Sequence, residues 1–300
     1  MRTLDVAETM TTAQDPEASR AEHAPRVRTR CAQRIWGVVG LAVLVLLAGC
    51  GGTQEPKPAT DEPLFRTAVV TAKMVERALA VEAGLERTYH AKAPKGRPWF
   101  RVLRGSSPII VVAGHATAHR REDRFKTPDK GTGSLAVMLN EIAQAHVIYT
   151  TYRSPSDPNY AEDNLFREAV LELVRKVRPV VVIDIHASNG ARPFDVDFGT
   201  LGGESLKDRP DLLELLAETM RPEGIRNFSQ DYFAAAKQQT VTRLVMENTS
   251  TPSFQLEINA NYLLTSRSDE MEQHRFAQLL QGLVRYIRKL QKPEFYEGTE

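Results

Sequence analysis

Residues 109–122, IIVVAGHATAHRRE, form an apolar strand that stops at Gly114 and presents His115, His119 and Glu122 directly after it. Four β-branched residues in a row, Ile109 to Val112, read as a strand buried on both faces, and such strands belong to parallel sheets covered by helices. In open α/β sheets, ligands bind in the crevice beyond the carboxyl ends of the strands. Neutral imidazole is the commonest metal ligand, and three protein ligands with one open position is the usual plan of a catalytic zinc site. The stretch suits a metal site; a capped strand followed by a solvated basic turn would read the same way.

A second apolar strand ends in the same manner at residues 180–190, VVVIDIHASNG. Residues two apart share a strand face, so Asp184 and His186 point the same way, and Asp184 can orient the imidazole or bind a metal itself. An Asp inside so apolar a strand is costly without a partner. A third segment, FQLEIN at 254–259, alternates so that Gln255, Glu257 and Asn259 occupy one face. A glutamate fixed on a strand beside a metal can act as general base.

The intervening chain supplies the covering layers. Residues 65–88 have helical composition, and Trp99 to Leu103 suit an entry strand. After the DKGTG loop at 129–133, Leu135, Met138, Leu139 and Ile142 make an i, i+3, i+4, i+7 stripe. Val147 to Tyr152 then read as a strand, SPSDPN at 154–159 as a loop, and Phe166 to Val177 as a second striped helix. Phe194 to Phe198 alternate like a half-exposed strand, Leu206 to Met220 read as one helix, and Phe276 to Leu290 as the last. Alternating strands and helices predict an α/β fold with a mixed, mostly parallel central sheet flanked by helices.

The 300 residues are 42% hydrophobic and 26% charged, an ordinary globular balance. A net charge of +1 lacks the basic excess that phosphate neutralisation demands, which argues against a nucleic-acid partner. Cys31 and Cys50 both precede the expected domain, so neither a disulfide nor a thiolate metal site supports it. Any metal must be held by His and carboxylates.

Residues 25–34, PRVRTRCAQR, carry four arginines and no acid, and an apolar run from Gly37 to Gly49 follows: the order of a signal peptide. That run is about a dozen residues, short of the roughly 20 needed to span a bilayer. Leu47 to Cys50, LAGC, resembles the bacterial lipoprotein box, which implies cleavage before Cys50, diacylglycerol on its sulfur, and an exported domain held at a cell-envelope membrane. Val27 would give the signal a short basic head if translation began there, leaving residues 1–26 outside the protein. The Gly- and Pro-rich residues 50–63 read as a tether, and the catalytic domain is expected over 64–300.

AGHATAHRRE, DKGTG, SDPN, VVIDIHASNG with DVDFGT, and QLEIN stand in the order found in the N-formylglutamate amidohydrolase family, and the resemblance covers residues 98–290. It implies a zinc-carboxypeptidase-like fold and metal-dependent hydrolysis of a C–N amide bond by metal-bound water. It further implies His115 and His186 as zinc ligands and Glu257 as the catalytic carboxylate. Carboxypeptidase-like sites often use His-x-x-Glu, but three residues after His115 stands Ala118. His119 is therefore expected as third ligand, with Glu122 in reserve, and Asp184 as the partner of His186.

Arg121, Arg153 and Arg192 occupy motif loops where a guanidinium can bind a substrate carboxylate, with Arg153 and Arg192 preferred. The expected substrate is a small N-acyl amino acid or peptide-like amide. A cell-wall peptide amidase or carboxypeptidase, or a non-catalytic metal- or ligand-binding lipoprotein, are the alternatives. The anchor is directly testable: Cys50→Ser should abolish metabolic labelling with a fatty acid, because only the thiol accepts the diacylglycerol. Label retained by the serine variant would rule out lipidation there.

Overall fold

The computed structural model describes residues 66–161 and 164–295. The expected signal segment, Cys50 and the tether lie outside them. In chain order the described elements begin with α1 (Ala72–Glu86), β1 (Phe100–Leu103) and β2 (Ile109–Ala113). A hairpin of β3 (His119–Arg121) and β4 (Arg124–Lys126) precedes α2 (Thr132–Ala143), β5 (His146–Thr150) and α3 (Leu165–Val177). Then come β6 (Val181–Ser188), β7 (Val196–Gly199), α4 (Asp211–Met220) and β8 (Phe228–Gln230), and last α5 (Val241–Asn248), β9 (Ser253–Asn259) and α6 (Glu270–Leu290).

Seven strands form one sheet in the order β1-β5-β2-β6-β9-β7-β8. Four of its inner strands, β5, β2, β6 and β9, are mutually parallel, while β1 and β7 run antiparallel to β5 and β9. The mixed, mostly parallel sheet expected from the sequence is thus present. The run at Ile109–Val112 is wholly buried because both faces are covered. Ile109 and Val111 pack with Leu135, Leu139, Leu279 and Leu283 of α2 and α6. Ile110 and Val112 meet Phe166, Val170 and Val174 of α3 and Val245 of α5 on the other side.

Local chemistry sets the helix ends. Asn164 caps α3 by accepting from the Phe166 amide, and Asp269 caps α6 by accepting from Glu272. α2 starts at Gly131, a left-handed residue whose amide donates to the Glu82 carboxylate of α1 (2.9 Å). Glu82 also accepts from Tyr89 and is buried, so α1 supplies a carboxylate to the positive end of α2.

Three expectations need correction. β6 does not end at His186 but runs through it to Ser188, because β9 pairs with it along that length. The 206–220 segment is not one helix: Lys207 and Asp208 adopt left-handed backbone angles, and α4 begins only after Pro210. β7 is fully buried, not half-exposed, because Val196 and Phe198 join the core that includes α4 while the 229–233 segment meets Asp197 on the other face. Its Asp197 is satisfied there by Ser229 Oγ (2.7 Å) and the amides of Tyr232 (3.1 Å) and Phe233 (2.8 Å). The β3–β4 hairpin, β8 and α5 were not anticipated, being too short to show a period.

Candidate metal centre

β2 and β6 are neighbours in register, with Val112 beside Asp184, so the residues at their carboxyl ends converge. His115 follows β2 by two residues and His186 sits within β6, both buried. Between them lies Asp129, from the DKGTG loop. Its Oδ2 is 3.0 Å from His186 Nδ1 and 3.6 Å from His115 Nδ1, and it also accepts from the Ala187 amide (3.3 Å). The Asp129 amide in turn donates to the His115 carbonyl (2.8 Å), which fixes the loop to the end of β2.

Each imidazole is backed by a second carboxylate on its other nitrogen. His115 Nε2 lies 2.7 Å from Asp157 Oδ1, and His186 Nε2 lies 3.1 Å from Asp184 Oδ2. Asn159 joins this layer: its Nδ2 is 2.7 Å from His186 Nε2 and donates to Asp184 (3.2 Å), while its Oδ1 accepts from the Val241 amide (2.7 Å). Glu257 stands opposite His186 in the β6–β9 register and accepts from Gln255.

The protonation pattern follows from these contacts. Burial opposes a charged His115, but hydrogen bonds to Asp129 and Asp157 outweigh it and raise its pKa. Burial opposes a charged His186 too, and Asp184 and Asp129 more than compensate, lifting it well above the ordinary value. Asp129 and Asp157 are desolvated as well, yet the imidazoles hold both carboxyls well below the usual range. Burial, with the nearby charge of Asp129, pushes Glu257 up against the opposing influence of His186 and Gln255.

Two sets of three side chains among the described residues bring potential ligand atoms within 4.8 Å of one another: His115, Asp129 and His186, and His115, His119 and Asp157. The first set fits a metal better. Two imidazoles and a carboxylate are a catalytic-zinc donor set, each ring is oriented by an acid on its far nitrogen, and all three residues line a cleft. In the second set Asp157 is fully buried and already accepts from Arg121.

Of the sequence candidates for the third position, His119 belongs to the second set and Glu122 to neither. β3 pairs His119 with Lys126 and stacks its ring on that of His115, centroids 3.8 Å apart. Burial and the adjacent His115 charge lower its pKa to about 3, so it is neutral. The hairpin turn carries Glu122 to the surface, where it accepts from the Tyr160 hydroxyl (2.7 Å). Arg153 lies over the Phe125 ring at 4.2 Å and is not part of the cleft wall. Arg192 does line the cleft, against Tyr232 and Phe233, and donates to the Tyr232 hydroxyl (3.1 Å).

The cleft holds about 650 Å³, with His115, Asp129, His186 and Glu257 on its floor and the 231–238 loop along one side. The sequence reading does not include Asp129, Asp157 and Asn159 among the candidate residues, because DKGTG and SDPN read as turns; the available signal is an acid in each loop.

Several solved structures are similar in arrangement. N-formylglutamate amidohydrolase from Ralstonia eutropha JMP134 has a TM-score of 0.47 at 12% identity over 63% of this chain and 98% of its own. A metallo-carboxypeptidase from Burkholderia cenocepacia gives 0.43 at 12% identity over 72% and 69%. N-acetylmuramoyl-L-alanine amidase AmiC2 of Nostoc punctiforme gives 0.34 at 16% identity over 61% and 99%. No protein-family model and no curated protein matches the chain.

The raised histidine pKa values fix the sign of a pH effect. In metal-free protein, His115 and His186 hold protons more tightly folded than unfolded. The resulting stability is complete below the ordinary value of about 6.5 and is lost as pH rises through the folded values, by up to about 1.4 kcal/mol per unit for each group. Denaturant unfolding of metal-free protein should therefore show stability falling as pH rises above about 6.5. Metal affinity should rise over the same range, because the ion displaces those protons. A flat or rising metal-free profile would overturn the charge pattern.

Proposed function

We propose that this chain is a metal-dependent amidohydrolase, zinc being the ion its donors suit, with His115, His186 and Asp129 as ligands. The observation that carries the reading is the buried Glu257 carboxylate, with its raised proton affinity, on the same cleft floor as the two backed imidazoles and Asp129. A zinc ion held there would supply Lewis acidity toward a carbonyl and lower the pKa of a water molecule.

Glu257 takes the proton of the attacking water and returns it to the departing nitrogen. Its raised pKa brings it nearer to neutrality, where a group that must both accept and donate works best. Asp157 and Asp184 hold the rings in orientation, and Asn159 ties Asp184 to the start of α5. Arg192 at the cleft wall is suited to a substrate carboxylate. An N-acyl amino acid is the substrate class we favour. The cleft volume, larger than one such molecule needs, favours a peptide end as the second reading. Lipid anchoring through Cys50 and export remain part of the proposal.

The test is metal content and turnover measured on one preparation, with N-acyl amino acids and muropeptides as substrates. Glu257→Gln should keep its zinc and lose about 10² to 10⁴ in kcat. Asp129→Asn and His186→Ala should lose most of the metal. Asp184→Asn should weaken affinity by about 10 to 100-fold, and His119→Ala should stay loaded. Full zinc in Asp129→Asn would refute the third ligand, and absence of turnover on either substrate class would favour a binding protein.

A further inference from the structure

The opposite edge of the sheet carries a second cleft of about 670 Å³, away from the metal centre and lined by no carboxylate. It lies where β6 and β9 begin, between the end of α3, the turn before α4 and the connector from α5 to β9. Arg175, Arg178, Lys207 and Arg209 line it together with Ser250 and Thr251. Arg209 is committed to Asp211 through a two-pronged pair (2.9 and 2.8 Å). Arg175, Arg178 and Lys207 make no ion pair among the described residues. In a chain of net charge +1, three uncompensated cations around one concavity are a local concentration that focuses positive potential.

Helix chemistry accounts for part of this. Cations favour a helix carboxyl end, which suits Arg175 and Arg178 on α3, but Lys207 comes from a separate turn. Arg178 and Lys207 are the left-handed C-caps of α3 and of the turn before α4, with φ of 50° and 51°, positions that glycine also fills.

We infer that this cleft binds a phosphorylated ligand carrying at least two negative charges. Two guanidinium groups and an ammonium, with serine and threonine hydroxyls beside them, match the several oxygens of phosphate groups better than a single carboxylate. The volume admits an organic body of sugar size as well. Such phosphates come either from a free sugar phosphate or from lipid headgroups.

The test uses the full chain and the double variant Arg178→Gly with Lys207→Gly. Glycine removes each charge and suits each backbone angle, so the variant should unfold at a temperature close to wild type. Fructose 1,6-bisphosphate is titrated calorimetrically, and vesicles containing cardiolipin, whose headgroup carries two phosphates, are compared with phosphatidylcholine in sedimentation. Binding of the bisphosphate that falls at least about tenfold in the variant supports the site and a soluble ligand. Retention on the cardiolipin vesicles alone, lost in the variant, supports the site with a headgroup ligand. No binding of either probe at about 1 mM, or equal binding by both proteins, overturns it.

Discussion

A single carboxylate oxygen shared by two imidazoles is the contact on which the candidate site depends. Asp129 Oδ2 lies against Nδ1 of both His115 and His186, and a half-buried charge of this kind is stabilised by the partners that meet it. The answering groups come from separate stretches of chain: one ring follows β2, the other stands in β6, and the acid arrives from the loop before α2. Asp157 and Asp184 then balance the outer nitrogens. The cluster is a closed set of alternating charges, and removing any member leaves another buried without its partner.

The parallel sheet makes that set possible. Strands buried on both faces have no room for charge along their length, so the polar side chains gather at their carboxyl ends. Asp184 is an exception, since it sits in β6 with no exposure, and it is tolerated because His186 and Asn159 reach it. β9 brings Glu257 into the same layer by register with His186. Asp197, one strand further out, anchors the amides of Tyr232 and Phe233, the aromatic pair against which Arg192 lies. Reactive floor and aromatic wall are therefore set by hydrogen bonding from adjacent strands.

What the sequence disclosed follows from how locally each feature is encoded. The runs at Ile109–Val112 and Val180–Ile185 identified the central strands, and the stripes at Leu135–Ile142 and Phe166–Val177 their helices, because hydrophobic period is a local property. His115, Asp184, His186 and Glu257 were legible since each stands on or just beyond such a strand. Asp129 and Asp157 were not, because a loop's position in space is set by the residues it binds and leaves no periodic trace. His119 drew attention by its nearness in sequence to His115, but the pairing of β3 with β4 turned its ring to stack on His115.

Glu82 extends the site's foundation beyond the stretch that carries the family resemblance. That stretch begins at residue 98, whereas Glu82 belongs to α1 and holds the Gly131 amide, two residues from Asp129. Tyr89 contributes twice, donating to Glu82 and accepting through its carbonyl from Ala118. The first helix is thus a buttress for the two loops that flank His115. A piece of this chain cut at the first strand of the sheet would lack the contacts by which Glu82 and Tyr89 hold Gly131 and Ala118.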